Sequence, residues 1–246
     1  MKKIKLFGER NTGTNYLRSL IELNLQVELI KDHIPRIKYV RKLELFHSIY
    51  FFLSQRSNLG WKHANINVKF ITRKLKENNA LNIVLIVKNP YSFLLSLHKR
   101  PYHNKGKTKI SFNDFIKSNW KTRKREYLNK QLDNPIDLWN IKTKNYLNLQ
   151  KKHPTRVLLL KYEDLVANPQ EIIGQIAIKF DLKTKLNEFS NFSKSTKNEK
   201  KSFSDYSAYY VNEKWREKLS ESDIYFINSK LNKNICSELN YNILKL

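Results

Sequence analysis

The residues best suited to chemistry lie near the N-terminus, in the stretch KLFGERNTGTNYL. Its glycines, Gly8 and Gly13, are separated by four residues, as in the phosphate-binding loop G-x-x-x-x-G-K followed by Ser or Thr. That loop uses its lysine and hydroxyl to hold a nucleotide triphosphate and Mg²⁺, but Thr14 and Asn15 occupy those two positions here. The stretch is therefore a degenerate triphosphate loop, a coincidence of glycines, or a loop for a different phosphate ester.

The elements around this loop predict a strand–loop–helix unit. Residues 3–7 are predicted to form a short buried strand, and apolar side chains recur at helical spacing from Tyr16 to Leu23. Two later runs, NIVLIVK and RVLLLK, are typical of buried parallel strands, and each is followed by a helical pattern. Strands alternating with helices predict an α/β fold in three layers, with a doubly wound, mainly parallel sheet flanked by helices. We expect one domain over residues 1–246.

A second candidate site follows the strongest predicted strand. In open parallel sheets, ligands bind at the carboxyl ends of strands, and Lys88 ends this one. Asn89 and Pro90 are suited to the N-cap and first position of the next helix, which carries Ser96 two turns further on. The glycine loop and the Lys88–Ser96 pair could thus hold two phosphates of one ligand.

Three stretches in order, RNTGTNYL, VKNPYSFLLS and KYEDLVANPQEIIGQIAIKFDL, resemble the motifs of sulfotransferases that use 3′-phosphoadenosine 5′-phosphosulfate (PAPS). The resemblance runs nearly end to end. It implies a P-loop-NTPase-like sulfotransferase fold and an enzyme that transfers a sulfuryl group from PAPS to an acceptor hydroxyl or amine, without a metal. It also implies that the loop grips the 5′-phosphosulfate, while Lys88, in place of an arginine, and Ser96 hold the 3′-phosphate. The implied cofactor-binding residues are Arg10, Asn11, Thr12, Gly13, Thr14, Asn15, Lys88, Ser96, Lys200 and Lys201.

The resemblance leaves the catalytic cation open. The lysine of the family's loop falls at Asn11, which carries no charge. Arg10, one residue earlier, and Lys62, in the stretch GWKHAN, are the two candidates for stabilising charge on the departing phosphosulfate oxygen.

The same stretch supplies the candidate general base. Many members of the family carry a catalytic histidine near a lysine between the two cofactor motifs, and His63 lies in that interval. A histidine titrates near neutral pH, which suits proton removal from an acceptor. Glu9 and Glu22 are weaker alternatives, since a glutamate is the base in some members. The competing interpretation is a packed histidine beside Trp61.

The charge balance favours anionic partners. Lys and Arg number 47 against 22 Asp and Glu, which gives a formal net charge of +25. Two other functions remain as alternatives: a phosphotransferase or NTPase with a degenerate loop, and a non-catalytic basic module that binds nucleic acid. A phosphotransferase or NTPase needs a lysine directly after Gly13 and then a hydroxyl, and neither is in place. A nucleic-acid-binding module does not explain why buried strands end in paired phosphate motifs.

Location and partners follow from composition. Cys236 is the only cysteine, so no intrachain disulfide forms, and no secretion signal or membrane-spanning run is evident. We expect a cytoplasmic protein that acts on a small molecule or glycan, with a carbohydrate or glycolipid favoured, and no specific nucleic-acid partner. Peripheral membrane contact and the oligomeric state stay open.

Overall fold

A computed structural model of the chain describes residues 1–31, 44–102, 104, 109–195 and 198–246, with the backbone alone for 44, 194–195 and 198–201. Its strands are Lys3–Gly8 (β1), Glu28–Leu29 (β2), Leu81–Val87 (β3), Trp120–Lys121 (β4), Gln131–Leu132 (β5), Val157–Lys161 (β6), Lys194–Ser195 (β7) and Asn198–Ser202 (β8). Its α-helices are Thr14–Asn24 (α1), Glu44–Asn58 (α2), Val68–Glu77 (α3), Pro90–Lys99 (α4), Phe112–Lys117 (α5), Pro135–Lys152 (α6), Tyr162–Ala167 (α7), Pro169–Phe180 (α8), Phe203–Val211 (α9), Glu221–Lys230 (α10) and Lys233–Glu238 (α11).

The centre of the fold is a four-stranded parallel sheet in the order β2-β1-β3-β6. Residues 3–8 of β1 pair with residues 81–86 of β3, whose residues 83–87 pair with 157–161 of β6. Because all strands run the same way, the carboxyl ends of β1, β3 and β6 meet at one edge. The predicted mainly parallel α/β sheet is confirmed.

Alternate residues of β3 pack on opposite faces of this sheet. Ile83 and Leu85 belong to one apolar cluster, whereas Val84 and Ile86 belong to the other. Helices α1 and α8 cover the second face, and α3, α4 and α6 cover the first. A strand buried on both faces reads as a continuous apolar run, which explains why β3 was conspicuous in the sequence. Three layers result, as predicted.

The predicted start of α4 is confirmed. The Asn89 side chain accepts hydrogen bonds from the first turn of α4, with Pro90 as the first helical residue. The stretch SESD at residues 220–223 is typical of a capping box and predicts a further helix start, which is also confirmed, because Ser220 caps α10 by accepting from the Asp223 N–H. The same Asn-Pro chemistry begins α6, where the Asn134 side chain caps an 18-residue helix; the sequence pattern predicts helix there only around residues 138–149.

One prediction about organisation was wrong. The polar, Lys-rich composition of residues 190–214 predicts a loop or lid, but they contain the antiparallel strands β7 and β8 and helix α9. Ser202 and Asp205 form a capping box at the start of α9, a signal hidden by the surrounding lysines. The apolar pattern of residues 37–57 predicts a helix, of which the described part begins at Glu44; residues 37–43 lie outside the described residues. In the described ranges, no helix has the length and apolar character to cross a membrane.

Glu163 joins three parts of the fold at the functional edge of the sheet. Its carboxylate accepts from the backbone N–H of Asn89 at 3.0 Å and from the Tyr241 hydroxyl at 2.9 Å. Glu163→Ala would leave both donors without an acceptor, so we expect a loss of about 1–3 kcal/mol in the free energy of unfolding, measured with urea. The exposed neighbour Asp164 is the control, and Asp164→Ala should change stability by less than about 0.5 kcal/mol. Equal losses in the two variants would contradict this role for Glu163.

Candidate active site

A cavity of about 380 Å³ opens at the carboxyl edge of the sheet. Its walls come from the β1–α1 loop, the C-terminal half of α4, the segment around His63, and α9. Lys99 and Arg100 contribute cationic side chains, and no Asp or Glu lines the cavity within the described ranges. This charge distribution suits an anionic ligand.

The β1–α1 loop turns sharply through two residues with left-handed backbone conformation. Gly13 has φ +84°, and a Cβ added there would lie 2.5 Å from the Tyr162 ring, so only glycine fits. Asn11 has φ +66°, a conformation that Asn tolerates better than most residues. The Asn11 side chain also donates to the Arg100 carbonyl at 3.2 Å, which ties the loop to the end of α4.

The loop delivers the N-terminus of α1 to the cavity. Thr14 and Asn15, at the start of α1, line it together with Gly13. The first N–H groups of a helix have no intrahelical acceptor and carry partial positive charge, so this end can bind an anion. Thr12 faces its own loop instead, because its hydroxyl donates to the Glu9 carbonyl at 2.6 Å.

The predicted catalytic segment lies alongside the end of β1. The Gly8 N–H donates to the Lys62 carbonyl at 3.0 Å, and His63 Nδ1 lies 2.6 Å from the Gly8 carbonyl oxygen. Since that oxygen can only accept, Nδ1 carries the proton and Nε2 keeps its lone pair. Burial, then the charges of Lys62 and Arg10, lower the pKa of His63 well below 6.5. His63 is therefore a neutral imidazole beside the phosphate loop.

Lys62 and Arg10 occupy different electrostatic positions. The Lys62 ammonium donates to the Asn15 side chain at 2.6 Å, at the cavity end of α1. The Arg10 guanidinium is only 4% exposed, and it pairs with Glu9 at 2.9 Å and Glu126 at 2.6 Å. Although burial lowers the pKa of Arg10, these carboxylates raise it overall, so it is a permanent and already compensated charge. Arg10 also lines the cavity, and these two carboxylates already balance its charge.

The Arg10 pairs belong to a buried network of four charged side chains, Glu9, Arg10, Glu126 and Lys142. Lys142 on α6 contacts both carboxylates and donates to the His63 carbonyl at 2.6 Å. Burial alone would raise the pKa of Glu126, but Lys142 and Arg10 lower it to about 2. Glu9 is thus fully engaged, and the other alternative base, Glu22, pairs with Arg18 on α1. Neither glutamate lines the cavity.

Trp61 lies between two guanidinium groups. Arg10 lies 4.8 Å from its ring centroid, and Arg125 lies 4.4 Å away. The Lys/Arg run at residues 121–125 predicts an exposed basic face, but Arg125 is buried. That prediction was wrong for Arg125, because the aromatic ring and the turn around Glu126 enclose it.

Lys88 and Ser96 are in direct contact at the carboxyl edge of the sheet. Lys88 Nζ donates to Ser96 Oγ at 2.9 Å, and Ser96 lines the cavity. Lys88 itself is 1% exposed, with its ammonium 4.0 Å from the Tyr210 ring centroid. Within the described part of the chain, no carboxylate lies within ion-pair distance of Lys88. The charge of Lys88 lowers the pKa of the buried Glu163 carboxylate in part, although burial raises that pKa overall, so Glu163 lies within electrostatic range of Lys88 without forming an ion pair. A buried cation with no direct ion pair is costly, so this position favours a bound anion.

Aromatic side chains form the remaining wall. Tyr16 on α1 lies 5.7 Å from Phe203, and Tyr162 lies 4.9 Å from Tyr210, measured between ring centroids. Both partners come from α9, in the segment that the sequence had presented as a loop. The wall offers apolar ring surface beside the cationic half of the cavity. The predicted ligands Lys200 and Lys201 lie on β8, and their side chains fall outside the described residues.

The fold and cavity agree with the comparisons to known proteins. A family model described as "Sulfotransferase domain" matches residues 2–235. The chain belongs to the sulfotransferase family. A search of curated proteins found no match.

Three solved structures align with this sulfotransferase over almost its whole length. They are the sulfotransferase domain of the curacin biosynthetic pathway (13% identity, 99% of each chain, TM-score 0.51), that of the Synechococcus PCC 7002 olefin synthase (13% identity, 99% of this chain and 95% of the other, TM-score 0.53), and mouse SULT7A1 complexed with PAP (14% identity, 98% and 89%, TM-score 0.53). At this identity they support the shared fold, as expected from the sequence.

Two cavity residues of this sulfotransferase, Lys99 and Arg100, were not predicted from the sequence. They follow Ser96 by three and four positions, so on a continuous helix they lie near the same face. That spacing was an available signal. Tyr16 lies in the RNTGTNYL stretch and on the predicted helix α1, whereas Phe203 had no comparable signal because α9 was not predicted.

The buried network predicts a specific acid sensitivity for the sulfotransferase. Glu126 has a folded pKa of about 2 against an ordinary 4.5, so its stabilisation is complete above pH 4.5 and is lost as pH falls toward 2. We expect Glu126→Gln to lower the Tm at neutral pH and to flatten the fall in Tm across that window. Differential scanning calorimetry at stepped pH measures both effects.

The control for this experiment is Glu28→Gln, which removes a surface carboxylate paired with Lys3. Its pH profile should follow that of the unsubstituted protein. A Glu126→Gln profile with an unchanged acid slope would show that the network does not supply this stability.

Proposed function

We propose that the chain transfers a sulfuryl group from PAPS to an acceptor hydroxyl or amine. The observation that carries the proposal is the pairing of Lys88 with Ser96 at the same sheet edge as the glycine loop. Two anion sites beside one aromatic wall match a nucleotide with phosphate groups on both its 3′ and 5′ positions. The PAP complex of mouse SULT7A1 supports the same donor.

The residues present fit such a nucleotide. The first turn of α1, at Thr14 and Asn15, would hold the 5′-phosphosulfate with its N–H groups. Ser96 would contact the 3′-phosphate, with Lys88 directly beneath it supplying charge. The rings of Tyr162 and Tyr210 provide a surface against which a purine can pack. When bound, PAPS supplies an activated sulfuryl group, and the protein positions and stabilises the charges around it.

His63 would take the acceptor proton at Nε2. Its Nδ1 proton is held by the Gly8 carbonyl, which fixes the ring orientation. A neutral imidazole at physiological pH is ready to accept a proton. The bond from Lys142 to the His63 carbonyl fixes the backbone of the same residue, so we assign Lys142 a positioning role.

Lys62 would stabilise charge on the departing oxygen. Its ammonium already reaches Asn15 at the start of α1, close to the proposed 5′ site. Between the two cations considered from sequence, Lys62 is the better candidate because the charge of Arg10 is compensated by Glu9 and Glu126.

For the acceptor we propose a carbohydrate or glycolipid hydroxyl. Phe51 on α2 lies 6.2 Å from Trp61, measured between ring centroids, so the acceptor side of the cavity borders a helix that exposes apolar side chains. An amphiphile with a sugar headgroup fits that boundary. The test is incubation with PAPS and a glycolipid extract, followed by mass spectrometry for lipids that gain SO₃.

A nucleotide panel tests the proposed cofactor. Without Mg²⁺, PAP and PAPS should raise the Tm, and PAP should bind more tightly than 5′-AMP, which lacks the 3′-phosphate. Lys88→Met should weaken PAP binding about 10- to 100-fold in calorimetric titration and leave 5′-AMP nearly unaffected, because it removes one charge-assisted contact. Lys161→Met, at the end of the neighbouring strand, is the matched control. A Tm response to ATP with Mg²⁺ but none to PAP would instead support the degenerate NTPase.

A pH profile tests His63. Because its pKa is lowered well below 6.5, kcat should be constant above about pH 6.5 and fall on acidification as the ring becomes protonated. His63→Ala should reduce kcat by about 10²–10⁴-fold, keep PAP affinity near normal, and abolish the acid limb. A variant with low activity but the same acid limb would assign that limb to another group.

A further inference from the structure

Helix α2 presents an apolar stripe to solvent. The exposed fractions are 65% for Leu45, 48% for Ile49, 68% for Phe52 and 71% for Leu53. These residues follow at intervals of four, three and one, so they share one side of the helix. Large contiguous apolar patches are uncommon on soluble proteins and mark interaction surfaces.

The opposite side of α2 is the one that packs on the protein. Phe51 is buried, Asn58 is buried, and Phe51 contacts Trp61 in the cavity wall. The apolar stripe is therefore not the core-facing side of α2, because a different side of the helix already packs on the protein. An exposed apolar stripe of this size indicates an interaction surface.

Exposed positive charge lies on α2 and on the hairpin that contacts it. Arg56 continues the stripe at the end of α2 and is exposed. The helix packs against the turn Lys124–Glu126, and this β4–β5 hairpin exposes Lys121 and Lys130 as well as Lys124. The whole chain carries a net charge of +25. A partner for this side therefore needs an apolar layer and negative charge together.

We propose that α2 docks on a membrane surface containing anionic lipids. An amphipathic helix lying in the interface buries its apolar stripe among acyl chains, while neighbouring lysines contact anionic headgroups. The half-exposed ring of Tyr127, which follows the basic turn, suits the headgroup level. Docking would leave only helix α2 between the lipid surface and the cavity wall at Trp61. This docking is independent of the proposed sulfuryl transfer.

Vesicle sedimentation tests the docking without any nucleotide. The full chain should sediment with phosphatidylglycerol–phosphatidylcholine vesicles, bind pure phosphatidylcholine weakly, and be released partly by high salt. The double variant Phe52→Ser, Leu53→Ser should bind roughly tenfold or more weakly. Ile178→Ser is the matched control, since Ile178 on α8 is 86% exposed and lies on a different helix, and it should bind normally. Lys121→Glu with Lys124→Glu should also reduce binding to the anionic vesicles.

Two other occupants give different results. If a second copy covers the stripe, light scattering will show a dimer that the double variant converts to a monomer, and vesicle binding will be absent. If residues 32–43 of the same chain cover it, the double variant will lower the Tm far more than Ile178→Ser does, again without vesicle binding. Either result overturns the membrane proposal, as does equal vesicle binding by the double variant and the control.

Discussion

The buried charges of Glu9, Arg10, Glu126 and Lys142 are the constraint on which the rest of the site depends. Each of these ions is expensive to remove from water, and together they become tolerable because each faces an opposite charge. They join the end of β1, the turn after β4 and the middle of α6. These ion pairs fix the positions of the loop that follows Arg10 and of the His63 backbone.

Short-range patterns allowed much of the fold to be predicted. The β3 run was recognisable because a strand covered on both faces has no polar alternation to obscure it. Asn89 and Pro90 fixed the start of α4, and the start of a helix sets the positions of the residues that follow on it. The placement of Lys88 at the end of a strand and of Ser96 on the following helix could therefore be predicted from local sequence.

The parts that could not be predicted depend on partners distant in the chain. Arg10 was a reasonable candidate cation until its partner Glu126, 116 residues later, was known. Lys142 lies 133 residues from Glu9 and had no motif of its own. Helix α9 was obscured for another reason, since its lysine-rich approach resembles a solvated loop. Composition cannot distinguish a charge facing water from one enclosed by counter-ions, as Arg125 also demonstrates.

The contact between Gly13 and Tyr162 has a consequence for affinity. The ring fills the space that a side chain at residue 13 would occupy, and the Asn11 amide fastens the other end of the loop to Arg100. Tertiary contacts therefore shape the loop before any ligand arrives, so binding need not supply the conformational entropy of ordering it. Ordering the loop then offsets little of the free energy of each anion contact, so nearly all of that free energy contributes to the affinity.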